Sequence, residues 1–351
     1  MTDNKAPTPA EIRVYRAEHA GLRERDIATN LGISEAALVA AECGISVTRI
    51  DANPSRLLER APELGEVMAL SRNDSAVHEK IGIYENIEIG EITSLTLGEN
   101  IDLRIFNRVW AHAFAVTKTD GDNVRRSLQY FDKAGEAIHK VHLRPASNLN
   151  AYEKIVADFR MEDQAQEFVA EPFTQSASGR TEGFDVGELR DAWSRMTDTH
   201  EFFGMLKKLD IDRQAAVRSV GSDYTWKLGR NAVEELFRKS VESQVNLMCF
   251  VANRGIVQIH TGPIHNVQAM GPWLNIMDPT FHLHLRADHI AEAWAVRKPT
   301  KDGHVTSLEA YGRNGEMIIQ FFGKRKEGNI EMPEWRALIE GLATGENAAA
   351  A

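Results

Sequence analysis

Two residues in the second half of the chain have the types and setting to do chemistry: His200 in MTDTHEFFGMLKKL and Arg213 in DIDRQAAVRS. Asp198 followed by Glu201 predicts a capping box and a helix from about Thr199, which puts His200 in the first turn. There the helix macrodipole disfavours imidazolium and favours the neutral ring, the form that ligates a metal. Gly204, one turn on, leaves the same face bare, so a flat ligand has room against the backbone. From spacing alone, a histidine packed at a helix start is the plainer reading. Arg213 follows Asp212, a residue suited to cap the next helix, and so lies at the wrong end of the dipole for a cation. That costs about a few tenths of a kcal/mol unless an anion compensates. A solvated arginine is the plainer reading.

Arg104, in NIDLRIFNRVW, is a third candidate. Alternation sets Asp102, Arg104 and Phe106 on the strand face opposite Leu103 and Ile105, which fits either a solvated edge or a pocket wall. The remaining histidines suggest no metal set. No HExxH motif occurs, His282 and His284 share a strand face without a carboxylate at ligand spacing, and His260 and His265 flank TGPI in what reads as a turn. GxSxG, P-loop and GxGxxG motifs are absent, which argues against hydrolase and nucleotide-fold chemistry. Cys43 and Cys249, in no CxxC pairing, exclude a disulfide scaffold, a zinc ribbon and an iron–sulfur ligand set.

The elements that must position these residues come in two copies. Shifted by 180 residues, the chain matches itself from Asn73 to Leu143 without an insertion: AHAFAVTK falls on AEAWAVRK, and SLQYFDKAGEAI on SLEAYGRNGEMI. The repeated unit reads mostly as strands. LEAYGRNGEMIIQFFGKR has two apolar runs around Gly312, Asn314 and Gly315, a hairpin signal, and KAGEAIHKVHL repeats it. FHLHL alternates, with Phe281, Leu283 and Leu285 on one face. Helices bound each copy, AYEKIVADFR after the first and EWRALIEGL after the second. The fold class is therefore α+β, a tandem structural duplication in which each half is an antiparallel β-sheet flanked by helices. We place an N-terminal repeat at 1–160, a Ser-, Gly- and Glu-rich connector at 161–190, a C-terminal repeat at 191–345 and a frayed tail at 346–351.

RERDIATNLGISEAALVAAE has the spacing of a helix-turn-helix. Under a shift of 178 its NLGISEAALVAA lies on KLDIDRQAAVRS, so the motif recurs as the helical lead-in to each sheet and reads as scaffold. Its second helix offers no Arg, Lys, Asn or Gln to a base edge. With 51 Asp+Glu against 41 Lys+Arg the net charge is −10, which repels nucleic-acid phosphates. MTDNKAPTPAEIRVYR lacks the apolar core of a secretory signal, and no run approaches the roughly 18 apolar residues of a membrane span. A cytoplasmic location is the expectation.

Residues present in one copy only are the better functional candidates. His200 falls on Leu22 and Arg213 on Glu35. MTDTHEFF, with DLRIF before it and NRGIVQIHTG, WLNIMDPTFHLHL, EAWAVRKPTKDGHVTSLE and QFFGKR after it, resembles the bacterial cytoplasmic haem-trafficking and hemin-degrading factors, the HemS/ChuS-like family, over nearly the whole chain. The resemblance implies one haem (iron protoporphyrin IX) in a cleft on the second repeat, with His200 as axial ligand to the iron. It implies Arg104 as distal and catalytic residue, with Phe106 as an apolar wall, and Arg213, Lys298, Gln320 and Arg325 on the propionate side and in the pocket. Phe322 stands where members of the family often carry tyrosine. His78, in SAVHEK, matches a possible secondary haem contact, against the plainer reading of a strand-surface histidine. The implied function is to accept imported haem and deliver it or degrade it to release iron. A haem importer, a haem oxygenase or an electron-donating reductase would be partners, because the chain has no flavin or nicotinamide signature of its own. A pure haem chaperone and a haem-responsive DNA-binding regulator are the alternatives.

Overall fold

The computed structural model describes residues 6–172, 179–325 and 329–344; part of the expected connector and the whole expected tail lie outside them. The chain divides into two units. One comprises the residues up to Arg72, Glu79–Thr174 and Ala252–Gln258, the other Asn73–His78, Gln175–Val251 and the chain from Ile259 on.

The first repeat begins with helices α1 Pro9–Glu18, α2 Glu24–Leu31 and α3 Glu35–Ala40, strand β1 Val47–Ile50 and helix α4 Pro54–Arg60. Strands β2 Val67–Arg72, β3 Ala76–Gly82, β4 Ile87–Glu88, β5 Thr93–Leu97 and β6 Asp102–Phe106 follow. Then come β7 His112–Asp120, β8 Asn123–Phe131, β9 Ala137–Leu143 and helix α5 Leu149–Phe159. The second repeat runs α6 Val186–Ser194, α7 Glu201–Leu209, α8 Arg213–Ser219, β10 Thr225–Leu228 and α9 Ala232–Ser243. Its strands are β11 Leu247–Ala252, β12 Ile256–Gly262, β13 Val267–Met270, β14 Trp273–Met277, β15 Phe281–Arg286, β16 Glu292–Thr300, β17 Gly303–Tyr311 and β18 Met317–Gly323, before helix α10 Pro333–Glu340.

The duplication is visible in the pairing. In the first unit β1, β7, β8, β9 and β2 are antiparallel neighbours in that order. In the second β10, β16, β17, β18 and β11 repeat it. Even the irregularities coincide: a register shift at Tyr130/Phe131 matches one at Ala310/Tyr311. The hairpin glycines Gly135 and Gly315 both take left-handed φ, +78° and +81°, which a side chain would strain. The fold is α+β, with antiparallel sheets flanked by helices in each half.

Alternation sets the core as the sequence requires. Leu103 and Ile105 are buried on β6, and Phe281, Leu283 and Leu285 on β15. The lead-in helices are capped alike: Ser34 accepts from the Ala37 N–H at 3.2 Å, and Asp212 from the Ala215 N–H at 3.1 Å. Helix α3, the would-be recognition helix, buries Glu35, Ala36, Leu38, Val39 and Ala40, so it has no free face for a DNA groove. Among the described residues, no helix is long and apolar enough to cross a membrane.

Three local expectations change. Helix α6 starts at Val186, inside the stretch expected as connector, because Asp185 accepts from the N–H groups of Gly187 and Glu188 at 2.7 and 3.1 Å. His260 lies within strand β12, not in a turn, with its ring stacked on Phe281 at 3.9 Å. His78 is fully buried rather than on a strand surface, its ring 4.9 Å from that of Phe281.

Candidate functional site

The α7–α8 hairpin packs through Phe202, Leu206, Ile211, Ala216 and Val217 against Leu189 and Trp193 of α6 and Val296 of β16. Burying one such phenylalanine contributes about 1.5–3 kcal/mol. The packing anchors the hairpin and leaves one face of α7 in solvent. His200 stands at the solvent end, its side chain 86% exposed. It immediately precedes α7 with helical backbone angles and makes no capping bond. The helix start is closed by a different pair from the one expected. The Glu201 carboxylate accepts from the Thr197 N–H at 3.0 Å and from the Thr197 hydroxyl at 2.9 Å.

Asp198 is thereby left to His200. One of its oxygens, Oδ1, accepts from the His200 backbone N–H at 2.8 Å and meets the ring Nδ1 at 2.7 Å. These bonds, with Arg325 nearby, hold the Asp198 carboxyl below its usual range. A carboxylate only accepts, so Nδ1 carries the hydrogen, and in the neutral ring the lone pair for a metal is then on Nε2. One turn on, Gly204 is exposed with open space around its missing side chain, and Phe203 beside it is 64% exposed. The result is a flat, partly apolar surface next to an available imidazole nitrogen.

Behind this surface lies a buried charge cluster that the sequence did not reveal. Arg213 donates from Nε and Nη2 to the two oxygens of Glu309, at 3.0 and 2.7 Å. Lys298 on β16 and Gln320 on β18 donate to the same carboxylate at 2.8 and 2.7 Å. Ser307 adds a bond at 3.1 Å, and the Tyr311 hydroxyl a further one. Glu309 is wholly buried. Burial would raise its carboxyl, but Arg213 and Lys298 more than offset that and hold it far below the usual range. Burial pulls the Lys298 ammonium down to about 8, against the attraction of Glu309. Two cations share one carboxylate, so the cluster carries a surplus positive charge that suits an anion.

The aromatic pair of α7 joins cluster to surface. The Arg213 guanidinium carbon is 5.0 Å from the Phe202 ring centre and 5.1 Å from that of Phe203. The Lys298 nitrogen is 4.6 Å from Phe202 and 6.0 Å from Phe322. Phe322, half-buried on β18, packs edge-on against Phe250. Arg325 donates to the Asn329 carbonyl at 3.4 Å.

The structure thus brings Arg213, Lys298 and Gln320 together on Glu309 with Phe202, Phe203 and Phe322 against the cations; His200 leads into the helix that carries Phe202 and Phe203, and Arg325 is within electrostatic reach of Asp198. Arg104 and Phe106 belong to the other unit. On β6, Arg104 is a third exposed and donates to Asp102 and to the Leu103 carbonyl. Burial raises the Asp102 carboxyl despite that partner. Phe106 ends the strand, 37% exposed. Sequence reasoning missed Glu309 and the second role of Asp198. A signal for Glu309 existed, since it falls on Gln129 and is charged in one copy only.

Fold and site together define a duplicated α+β protein that presents an open imidazole nitrogen and a surplus buried cation in its second repeat. The chain belongs to the haemin-degrading HemS/ChuX-domain family, whose model matches it twice, at residues 32–159 and 210–342. The hemin transport protein HemS of Yersinia enterocolitica is 40% identical over 336 residues, covering 95% of this chain and 96% of that one. Holo-PhuS, a heme-binding protein from Pseudomonas aeruginosa, superposes with a TM-score of 0.93 at 39% identity, over 96% of this chain and 100% of that one. The heme-degrading enzyme ChuS of Escherichia coli O157:H7 gives a TM-score of 0.86 at 34% identity, over 95% and 99%.

Proposed function

We propose that this chain binds haem, with His200 as axial ligand, and acts in the cytoplasm to accept imported haem and hand it on or degrade it. Haem is a flat apolar disc with an iron and two carboxylates, so it needs a ligand, apolar walls and cations at its rim. The observation that carries the reading is the His200 ring. Its Nδ1 is committed to Asp198 and its Nε2 is left open beside Phe203 and the bare face of Gly204. Arg213 and Lys298 supply positive charge for the propionates, and each charge-assisted bond contributes about 1.5–3 kcal/mol. Arg104 and Phe106 are assigned to the distal side on the family resemblance. The names of HemS, PhuS and ChuS support haem as the ligand.

The test is a haemin titration of the full chain beside His200→Ala. Wild type should give a sharp, saturable Soret change, and the variant a weaker and spectrally altered one. Identical spectra and affinities refute the ligand assignment. Degradation is read separately, as loss of the Soret band with reductant and oxygen that persists when catalase removes peroxide. Loss only without catalase leaves the protein a carrier. An importer upstream, and a reductase or haem oxygenase downstream, are the partners this role requires.

A further inference from the structure

We infer that Asp198 is a positioning residue for His200, fixing its tautomer and strengthening the electron donation of Nε2 to a bound iron. The inference rests on the reading of His200 as the iron ligand and concerns what makes that ligand effective. Three observations carry it. First, the Asp198 carboxylate takes both bonds His200 can offer it, from the backbone N–H at 2.8 Å and the ring at 2.7 Å, through a single oxygen. Second, Asp198 is not needed to cap α7, because Glu201 closes that end on Thr197. Third, the pair occurs as a unit: under the 178-residue shift Asp198 falls on Ala20 and His200 on Leu22, so the first repeat has neither.

The physical consequence has two parts. An imidazole on a side chain 86% exposed samples several rotamers unless something holds it, and ordering it at the moment of binding opposes affinity. The carboxylate orders the ring beforehand. A ring N–H donated to a full negative charge also makes the opposite nitrogen a stronger base, as with carboxylate–histidine pairs behind other metals.

The experiment compares Asp198→Asn and Asp198→Ala with wild type and His200→Ala, all as full-length protein loaded with haemin. Asparagine keeps an acceptor for the His200 N–H but removes the charge, so it separates electron donation from local shape. Haemin affinity should fall roughly 10–100-fold in Asp198→Ala, the usual effect of losing such a partner. In Asp198→Asn, the resonance-Raman iron–histidine stretch of the reduced complex should move to lower frequency, and the haem midpoint potential should become more positive. A merely structural role moves neither. Wild-type stretch and potential in both Asp198 variants, with the stretch abolished in His200→Ala, overturn this inference and leave the ligand assignment standing. A stretch that survives His200→Ala overturns both.

Discussion

The corner where the lead-in helices meet the sheet is built twice, with opposite charge. In the first unit the acid is on the helix: Glu35, at the start of α3, is bound by Arg72 and Lys140. In the second the cation is on the helix: Arg213, at the start of α8, is bound by Glu309 on the sheet. Position by position, Glu35 falls on Arg213, Gln129 on Glu309 and Lys140 on Gln320, while Lys118 and Lys298 coincide. An acid in a first helical turn is favoured by about 0.3–1 kcal/mol and a cation there is disfavoured. In the first unit Lys118 is also matched, by Glu24 at 2.7 Å. That corner follows the rules of stability. The second breaks one, on the helix that follows the one His200 leads into. A local rule broken with a specific compensation marks a site shaped for something other than stability.

The comparison breaks first at the two carboxylates. Glu309→Gln strands Arg213 and Lys298 without their shared carboxylate, and Glu35→Gln removes the acid that Arg72 and Lys140 share. Each should cost about 3 kcal/mol in urea unfolding, the lower end for breaking a buried pair. Only Glu309→Gln should also change haemin affinity. Equal effects of the two variants on haemin would mean that the corners are functionally alike.

Proton release from Lys298 sharpens the contrast. Its pKa is lowered to about 8 from 10.5. Between these values the unfolded chain holds the proton and the folded one has lost it, so this group's contribution makes stability rise with pH across that window. Binding should run the other way. As pH passes about 8 the cluster loses its surplus charge, so haemin affinity should fall, and Lys298→Met should flatten the fall. Glu35, lowered to about 2 from 4.5, contributes stability that is complete above 4.5 and is lost as pH drops toward 2. Acid unfolding of Glu35→Gln should therefore lack part of the wild-type loss over that range. The smallest effect is expected at Arg104. Arg104→Ala should change haemin affinity little and alter the pH dependence of the ferric visible spectrum more.

Much of the fold was legible because its signals are local. Alternation in DLRIF and FHLHL, the hairpin at Gly312–Gly315 and the helices at AYEKIVADFR and EWRALIEGL depend on neighbours a few residues apart, and all appear where expected. The site was legible only in part. Periodicity identified Arg213 as a misplaced cation but could not supply its anion, because Glu309 is 96 residues away and meets it only through sheet packing. The capping pattern at Asp198 and Glu201 was real but shared differently: Glu201 reaches back to Thr197, and Asp198 turns to the imidazole. Both arrangements offer similar local bonds, so spacing alone could not choose between them. His78 reads as a surface residue in SAVHEK, but it lies on the face of β3 that is buried with Ala76 and Lys80, and which face is covered is a tertiary fact.

The most direct test is to crystallise the full-length protein with haemin and locate the iron. Nε2 of His200 should bind it, with the Asp198 carboxylate still on Nδ1 and the propionates toward Arg213 and Lys298. Iron held by any other side chain, with His200 still in solvent, would contradict the ligand assignment.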